Sequence, residues 1–303
     1  MRQTQYNYDP TKPLKTKKRR NSAPGRRHPS VGVMSNLRYI VIIVIVCAVA
    51  GNYIWSCIHK GNRDNQPELT QSLTESQLAD VIIPRDVDSK IINYTGFTVS
   101  FNTQMHQPNY VSWELTGAET EGTQPRGSNF APDNTVEGCA TLDDYRRSGF
   151  DRGHMAPSAD MKWSPQAMND CFYLTNICPQ DGKLNKGTWN KLENKCREWA
   201  KRDSAIIIVC GPVLTDRLTQ TIGDSQIPVP KRFFKVVLAP YANPPRAIGF
   251  ILNNGYVEGG MQKAAVSVDE VEAVTGFDFF HNLPDDVENS VEASQSFNVW
   301  FRP

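Results

Sequence analysis

The sequence DRGH at residues 151–154 places a guanidinium, Arg152, two positions before an imidazole, His154. About 30 residues later the chain offers a carboxamide, Asn185, and then a carboxylate, Glu193. A neutral imidazole can take a proton from water, and a guanidinium can bind a phosphate through two hydrogen bonds. A hard cation held by waters and one or two oxygen ligands can stabilise a leaving oxygen. These residue types therefore favour hydrolysis of a phosphodiester bond.

Positive charge is concentrated around these residues. The chain of 303 residues has a formal net charge of +1, but residues 146–202 carry 11 Lys or Arg and 6 acids. Residues 61–303 together sum to −9, which argues against a globally basic nucleic-acid binder. An anion site must then be built locally, although a solvated basic helix face would give the same local count.

The candidate residues also have structural interpretations. Asn185 could cap a helix that starts near Thr188, and Glu193 could pair with Arg197 four residues later. Asp151, the first residue of DRGH, is expected to orient the loop or pair with an arginine. Two histidines, His106 and His281, match no motif and are assigned structural roles. The tryptophans expected in the core instead of stacking on bases are Trp113, Trp163, Trp189 and Trp199.

Alternating or continuous apolar runs predict five strands around these residues. The runs are Phe97–Phe101, Tyr110–Leu115, Ala205–Val209, Phe233–Leu238 and Ala247–Leu252. The elements do not alternate as regular βαβ units, so the predicted class is α+β.

Two segments carry helix signals. In Thr188–Lys201, apolar residues recur at steps of three and four, which predicts an amphipathic helix. Ser267 followed three residues later by Glu270 forms a capping box, and Gly276 closes that helix.

The N-terminal part of the chain predicts a membrane anchor. Residues 39–58 are uncharged, and at about 1.5 Å per residue they span roughly 30 Å of hydrocarbon. Residues 1–38 are basic, which predicts a cytoplasmic leader and export of the rest, to a bacterial periplasm or the cell surface. A signal peptide cleaved after residues 48–50 is the alternative. Residues 59–83 read as a polar linker and residues 84–303 as the catalytic domain.

The cysteines of the predicted exported part are odd in number, so at least one is unpaired or pairs between chains. They contain no CxxC, which makes a zinc site improbable. One or two disulfides are compatible with export, and the sequence leaves their connectivity open. These cysteines are Cys139, Cys171, Cys178, Cys196 and Cys210.

The three blocks FDRGHMAPSADM, FYLTNICPQ and LNKGTWNKLE resemble the DNA/RNA non-specific endonucleases of the ββα-metal (His-Me finger) class. That family includes secreted bacterial nucleases and mitochondrial endonuclease G. The resemblance extends over roughly residues 84–300 and implies a mixed, largely antiparallel sheet with flanking helices, here preceded by one transmembrane helix. The anchor and the acidic body depart from the simple secreted pattern.

The resemblance also implies roles for individual residues. His154 would be the general base, and Asn185 would be the direct protein ligand of one Mg²⁺ or a similar ion such as Mn²⁺. Glu193 would hold a metal-bound water and contribute to catalysis. Arg152 would contact the phosphate, and Arg126, which matches less closely, would stabilise the transition state. The residues expected to shape the substrate cleft are Asn176 and Gln180.

The expected function is a membrane-anchored, metal-dependent endonuclease that acts on DNA and RNA. A nucleic-acid-binding pseudonuclease without turnover and a metal phosphodiesterase for small nucleotides are the alternatives. The intact His154, Asn185 and Glu193 argue against the first alternative. Contacts to the phosphate backbone predict weak sequence preference.

Overall fold

A seven-stranded antiparallel sheet forms the centre of the fold in the computed structural model. The strands, in chain order, are Lys90–Asn93 (β1), Thr98–Asn102 (β2), Gln107–Thr116 (β3), Asp151–His154 (β4), Ile177–Gln180 (β5), Ala205–Pro212 (β6), Thr221–Ile222 (β7), Ile227–Pro228 (β8), Arg232–Ala239 (β9), Arg246–Asn253 (β10) and Ala265–Val266 (β11). The sheet has the order β1-β2-β3-β6-β9-β10-β11, and all of its neighbouring pairs are antiparallel. Two separate hairpins, β4-β5 and β7-β8, accompany it.

The described residues all lie in one unit, Asn65–Pro303. They are residues 84, 89–127, 129–294 and 297–301. Three predicted segments lie outside them: the leader (1–38), the membrane anchor (39–58) and the linker (59–83). Among the described residues, no helix combines the length and the apolar character that a membrane crossing requires.

The helices are short except for one. They are Leu142–Tyr145 (α1), Pro165–Asp170 (α2), Asn190–Asp203 (α3), Gly260–Ala264 (α4), Val268–Thr275 (α5), Asp285–Glu292 (α6) and Phe297–Phe301 (α7). Shorter turns of other helix types are Glu119–Glu121, Leu174–Asn176 and the π-helical Leu184–Trp189. The long helix α3 buries Leu192, Cys196 and Trp199, which confirms the predicted apolar stripe.

Alternate residues of the central strands enter two hydrophobic cores, one on each face of the sheet. Trp113 and Ile208 belong to the first core, which also receives Trp189 and other residues of the segment that leads into α3. Ile207 belongs to the second core, which is covered by α5 and α6. Because side chains alternate along a strand, each central strand serves both cores. The unit β4-β5-α3 therefore lies on the opposite face from α5 and α6.

The sequence-based class and elements are largely confirmed. All five predicted strands are present, and the ends of each lie within a few residues of the predicted ends. Helix α5 has both hydrogen bonds of the capping box between Ser267 and Glu270, and Gly276 closes it at φ 75°. The predicted helix from Thr188 begins later, at Asn190, because a π-helical turn precedes it. The hairpin β4-β5 carried no separate strand signal in the sequence.

Three carboxylates meet between α5 and α6. The ligand atoms of Asp269, Glu272 and Glu292 lie within 4.8 Å of one another. Glu292 is 7% exposed, and its Oε1 has no hydrogen-bond partner among the described residues. Burial, with Glu272 as the next cause, raises the pKa of Glu292 to about 9. A carboxyl group in this position is therefore neutral at pH 7.

We predict that this cluster makes the fold less stable as the pH rises. The pKa of Glu292 is higher in the folded than in the unfolded state. Its neutral carboxyl group therefore contributes stability that is fully present below about pH 4.5 and is lost as the pH rises to about 9. Glu292→Gln should therefore raise Tm at pH 8.5 by about 4 °C, roughly 1–2 kcal/mol for a domain of this size, and change it little at pH 5. Thermal unfolding at both pH values measures this.

The matched control is Asp286→Asn, which removes an exposed carboxylate from the same helix. A Tm gain at pH 8.5 that is equal in both variants would show that general charge reduction, not the buried carboxyl group, is responsible.

Candidate active site

The hairpin β4-β5 carries the DRGH sequence and is held by a close backbone approach. Asp151 lies opposite Gln180 and His154 opposite Ile177 in an antiparallel register. A Cβ atom on Gly153 would lie 2.2 Å from the Gln180 Oε1 atom, so glycine is required for this packing.

His154 is buried at the end of β4 between two aromatic rings. Its side chain is 9% exposed, and the Phe130 and Phe172 ring centroids lie 5.2 and 5.0 Å from the imidazole centroid. The main-chain oxygen of His154 accepts a hydrogen bond of 3.2 Å from Trp189 Nε1. The imidazole Nε2 has no hydrogen-bond partner among the described residues. The backbone is thus fixed, while the buried Nε2 atom of the ring is left without a partner.

Burial, and after it the nearby charges of Arg126 and Arg152, lower the pKa of His154 to about 3. The imidazole is therefore neutral at pH 7 and able to accept a proton. A bound phosphate would offset the two guanidinium charges and make the ring more basic, because an anion favours the protonated form.

The two arginines flank the imidazole from the solvent side. The Arg152 guanidinium carbon lies 4.3 Å from the Phe130 ring centroid, and that of Arg126 lies 5.6 Å from the Phe172 ring centroid. Arg126 also donates a hydrogen bond of 2.7 Å to Ser158 Oγ. Both guanidinium groups are exposed, and neither has an acidic partner among the described residues. They are free to bind an anion beside His154.

Asn185 lies in the π-helical turn that leads into α3. Its Nδ2 donates a 3.0 Å hydrogen bond to Asp151 Oδ2, so its Oδ1 has no partner among the described residues. Lys186 Nζ lies 2.9 Å from the same carboxylate oxygen. Although burial opposes ionisation, these two partners lower the pKa of Asp151 and keep it charged. The alternative that Asn185 caps a helix near Thr188 does not hold, because its side chain turns to β4.

Glu193 is partly exposed on α3 and has no hydrogen-bond or ion-pair partner among the described residues. The alternative pairing with Arg197 is not formed, because the Arg197 guanidinium lies 2.6 Å from the buried carboxylate of Asp160. Burial raises the pKa of Glu193 to about 7, with Lys235 the largest opposing influence. The Arg126 charge also lowers the pKa of Glu193, as it does that of His154.

A buried lysine lies under the site, and the sequence patterns above do not predict its role. Lys235 is 1% exposed, and its Nζ lies 4.4 Å from the Trp189 ring centroid and 5.2 Å from that of Trp113. Burial opposes its charge, but neighbouring groups, including Glu193, raise the pKa of Lys235 overall. The one signal in the sequence is a lysine that interrupts the apolar run FFKVVL.

The two residues expected to shape the substrate cleft are fully buried. Asn176 Oδ1 accepts from the Ala156 N–H at 2.9 Å, and its Nδ2 donates to the carbonyl oxygens of Ala156 and Cys171 at 2.9 Å each. Gln180 is 0% exposed and packs on Gly153. The structure thus places both side chains beneath the hairpin. Asn176 fixes the loop after His154, whereas the Gln180 amide has no hydrogen-bond partner among the described residues.

The cysteines do not form the disulfides that export would permit. Cys139, Cys171, Cys178, Cys196 and Cys210 are all free, and four of the five are buried. Burial raises the pKa of the Cys196 thiol to about 12 and that of Cys210 to about 11. They act as small apolar residues of the first core.

The donor atoms near His154 suit a hard divalent cation. The free carboxamide oxygen of Asn185 and the unpaired carboxylate of Glu193 are oxygen ligands of the kind that a largely hydrated Mg²⁺ accepts. Within the described part of the chain, the one group of three or more clustered acid, His or Cys ligands is Asp269, Glu272 and Glu292. That group lies on the other face of the sheet, away from His154.

The hairpin and helix that carry these side chains form a ββα unit with an imidazole, two guanidinium groups and oxygen donors. The sequence profile of the DNA/RNA non-specific endonucleases matches residues 74–286. This chain belongs to the DNA/RNA non-specific endonuclease family.

Individual relatives agree with this family. The mitochondrial nuclease EXOG of Danio rerio is 34% identical over 207 residues, which cover 63% of this chain and 60% of that protein. The mitochondrial nuclease of Saccharomyces cerevisiae is 34% identical over 216 residues, 63% of this chain and 66% of that protein. A solved structure of EndoG with its inhibitor EndoGI shares the fold with a TM-score of 0.64 at 23% identity, over 70% of this chain and 95% of that one. The chain spans about 60% of the length of the zebrafish relative.

The predicted location in a bacterial periplasm or at a cell surface is wrong. Both relatives described above are named as mitochondrial nucleases. The prediction rested on the basic leader and the 20 uncharged residues that follow it, and both segments lie outside the described residues.

We predict that His154 stays neutral to well below pH 5 and that its pKa depends on its arginine neighbours. Arg152→Gln removes one of the two charges that oppose protonation, so the pKa of His154 should rise. Burial, the larger cause, remains, so the value should stay below 6.5. Titration of the histidine ring signals by NMR measures this shift.

Arg217→Gln serves as the control, since Arg217 is exposed and is not among the groups that lower the pKa of His154. A His154 ring that titrates near 6.5 in the unaltered chain would contradict the buried, neutral state.

Proposed function

We propose that this chain is a divalent-metal-dependent endonuclease that hydrolyses phosphodiester bonds of DNA and RNA, with His154 as its general base. The observation that carries the proposal is a buried, neutral imidazole with an unbonded ring nitrogen between two arginines that lack acidic partners. An anion site beside a neutral base is what attack of water on a phosphodiester needs.

In this mechanism His154 accepts a proton from the attacking water as the water oxygen bonds to phosphorus. The ester P–O bond on the opposite side breaks, and the leaving oxygen takes a proton from a solvent water, while His154 later returns its own proton to solvent. Arg152 and Arg126 bind the phosphate oxygens and offset the negative charge that develops on them. The fixed backbone of His154 keeps the imidazole in place during this step.

Asn185 Oδ1 would ligate the cation directly, and Glu193 would hold one of its waters. The bound cation would supply electrostatic stabilisation of the leaving oxygen. Asp151 has a positioning role, because its carboxylate accepts from Asn185 Nδ2 and so turns the carboxamide oxygen outward. Contacts of this kind read the phosphate backbone, so we propose little sequence preference.

The substrate class can be tested with the full chain. We expect cleavage of both supercoiled DNA and RNA in Mg²⁺, and weak activity on mononucleotide esters. His154→Ala should lower kcat by about 10² to 10⁴, the contribution of a positioned general base, without loss of folding. His281→Ala is the matched control, because His281 lies outside the site. An unchanged kcat in the His154 variant would remove this residue from the mechanism.

The metal assignment has its own test. Activity should disappear in excess EDTA and return with Mg²⁺ or Mn²⁺. Asn185→Ala should raise the Mg²⁺ concentration for half-maximal activity by about tenfold or more, since even outer-sphere partners contribute that much. Asn190→Ala, an exposed carboxamide five residues further on, should leave this concentration unchanged. Full activity in EDTA would contradict the proposal.

A further inference from the structure

A cleft with an unusual arginine lies next to the active site. It has a volume of about 470 Å³ and is lined by α1 and the segment that leads into β4, including Arg146, Arg147 and Arg152. Arg152 lines this cleft and also lowers the pKa of His154, so it connects the cleft with the surroundings of the proposed base. At about 3.3 Å per strand residue, His154 lies roughly 7 Å from Arg152 along the chain.

The charges of this cleft are unequally neutralised. Asp151, an acid in its wall, is already paired with Lys186 at 2.9 Å. Arg146 lies 2.7 Å from Asp143. Arg147 is exposed and forms no ion pair or hydrogen bond with any residue that the structure describes. The cleft thus has an uncompensated positive charge beyond that of Arg152.

Arg147 holds this position against its backbone preference. Its φ is 57°, in the left-handed region that glycine adopts freely and other residues enter at a cost of about 1 kcal/mol or more. Glycine would relieve the strain at this position. The exposed Arg147 guanidinium, which has no acidic partner among the described residues, is free to bind an anion in the cleft.

The supporting wall is rigid. Tyr145, at the base of the cleft, is 6% exposed and donates a 3.3 Å hydrogen bond to the Ile177 carbonyl oxygen of β5. Asp144 closes a capping box with Thr141 at the start of α1 and accepts a 2.9 Å hydrogen bond from the Ser225 N–H. The arginine is therefore presented from a fixed base beside the hairpin that carries His154.

We propose that this cleft is a second phosphate subsite, in which Arg147 binds a backbone phosphate of a polynucleotide substrate one or a few nucleotides from the scissile bond. The inference rests on the proposed nuclease function and names a residue that binds the polymer away from the scissile bond. Each strand of a DNA duplex advances about 3.4 Å per nucleotide along the helix axis. A strand with its scissile phosphate at His154 therefore reaches the cleft within a few nucleotides.

The test compares Arg147→Gly, which removes both charge and strain, with Arg147→Lys, which keeps the charge. Binding of a fluorescein-labelled DNA duplex to the full chain in EDTA is measured from 50 to 200 mM salt. The logarithm of the binding constant falls as the logarithm of the salt concentration rises. Arg147→Gly should make this negative slope shallower by about 0.9, the value for one lost phosphate contact. Arg147→Lys should keep the slope. Lys263→Ala, which removes an exposed charge from α4, should also keep it.

Cleavage is measured on the same proteins. In Mg²⁺, Arg147→Gly should lower the ratio of kcat/KM for polymeric DNA to that for bis(p-nitrophenyl) phosphate by about tenfold, while its Tm stays equal or rises. An unchanged salt slope, or an equal loss on both substrates, would overturn the subsite. If the unaltered chain cuts neither DNA nor RNA, the proposed function fails, and the binding slope still decides the subsite.

Discussion

The hydrogen bond from Trp189 Nε1 to the main-chain oxygen of His154 joins the two halves of the site. It connects the last residue of β4 to the π-helical turn that starts the helix, and both partners are buried. Breaking it would leave a buried carbonyl and a buried indole N–H without partners, at a cost of about 1–3 kcal/mol for each group. The position of the base relative to Asn185 therefore depends on this contact.

Below this contact, the fold maintains buried charges that a hydrophobic core would otherwise exclude. Lys235 is covered by two tryptophan rings, and Asp160 is 1% exposed and paired with Arg197. Removing a single partner from such a group leaves an uncompensated buried charge, which is strongly destabilising. The buried charges under Glu193 therefore stabilise the fold as well as influence the pKa of Glu193.

The sequence predicts the elements that depend on neighbouring residues in the chain, and it does not predict contacts between residues that are far apart. Strands such as β6 have a continuous run of β-branched residues, and α5 has a complete capping box, so local patterns identify them. DRGH is local as well. Phe130, by contrast, reaches His154 from 24 positions away, and the Asp160–Arg197 pair joins residues 37 positions apart. No periodicity within either segment encodes such contacts, and Arg147 is noticed only once its φ is known.

The π-helical turn Leu184–Trp189 also has a consequence for the length of the chain between Asn185 and Glu193. The turn is interrupted at Gly187, whose φ of −101° and ψ of −112° are not helical, so two helical pieces meet there at a kink. Each α-helical residue turns the chain by about 100°. Deleting one residue here would therefore rotate Asn185 relative to α3, away from the side that faces Asp151. Insertions and deletions are therefore tolerated far less in this turn than their location at a helix end suggests.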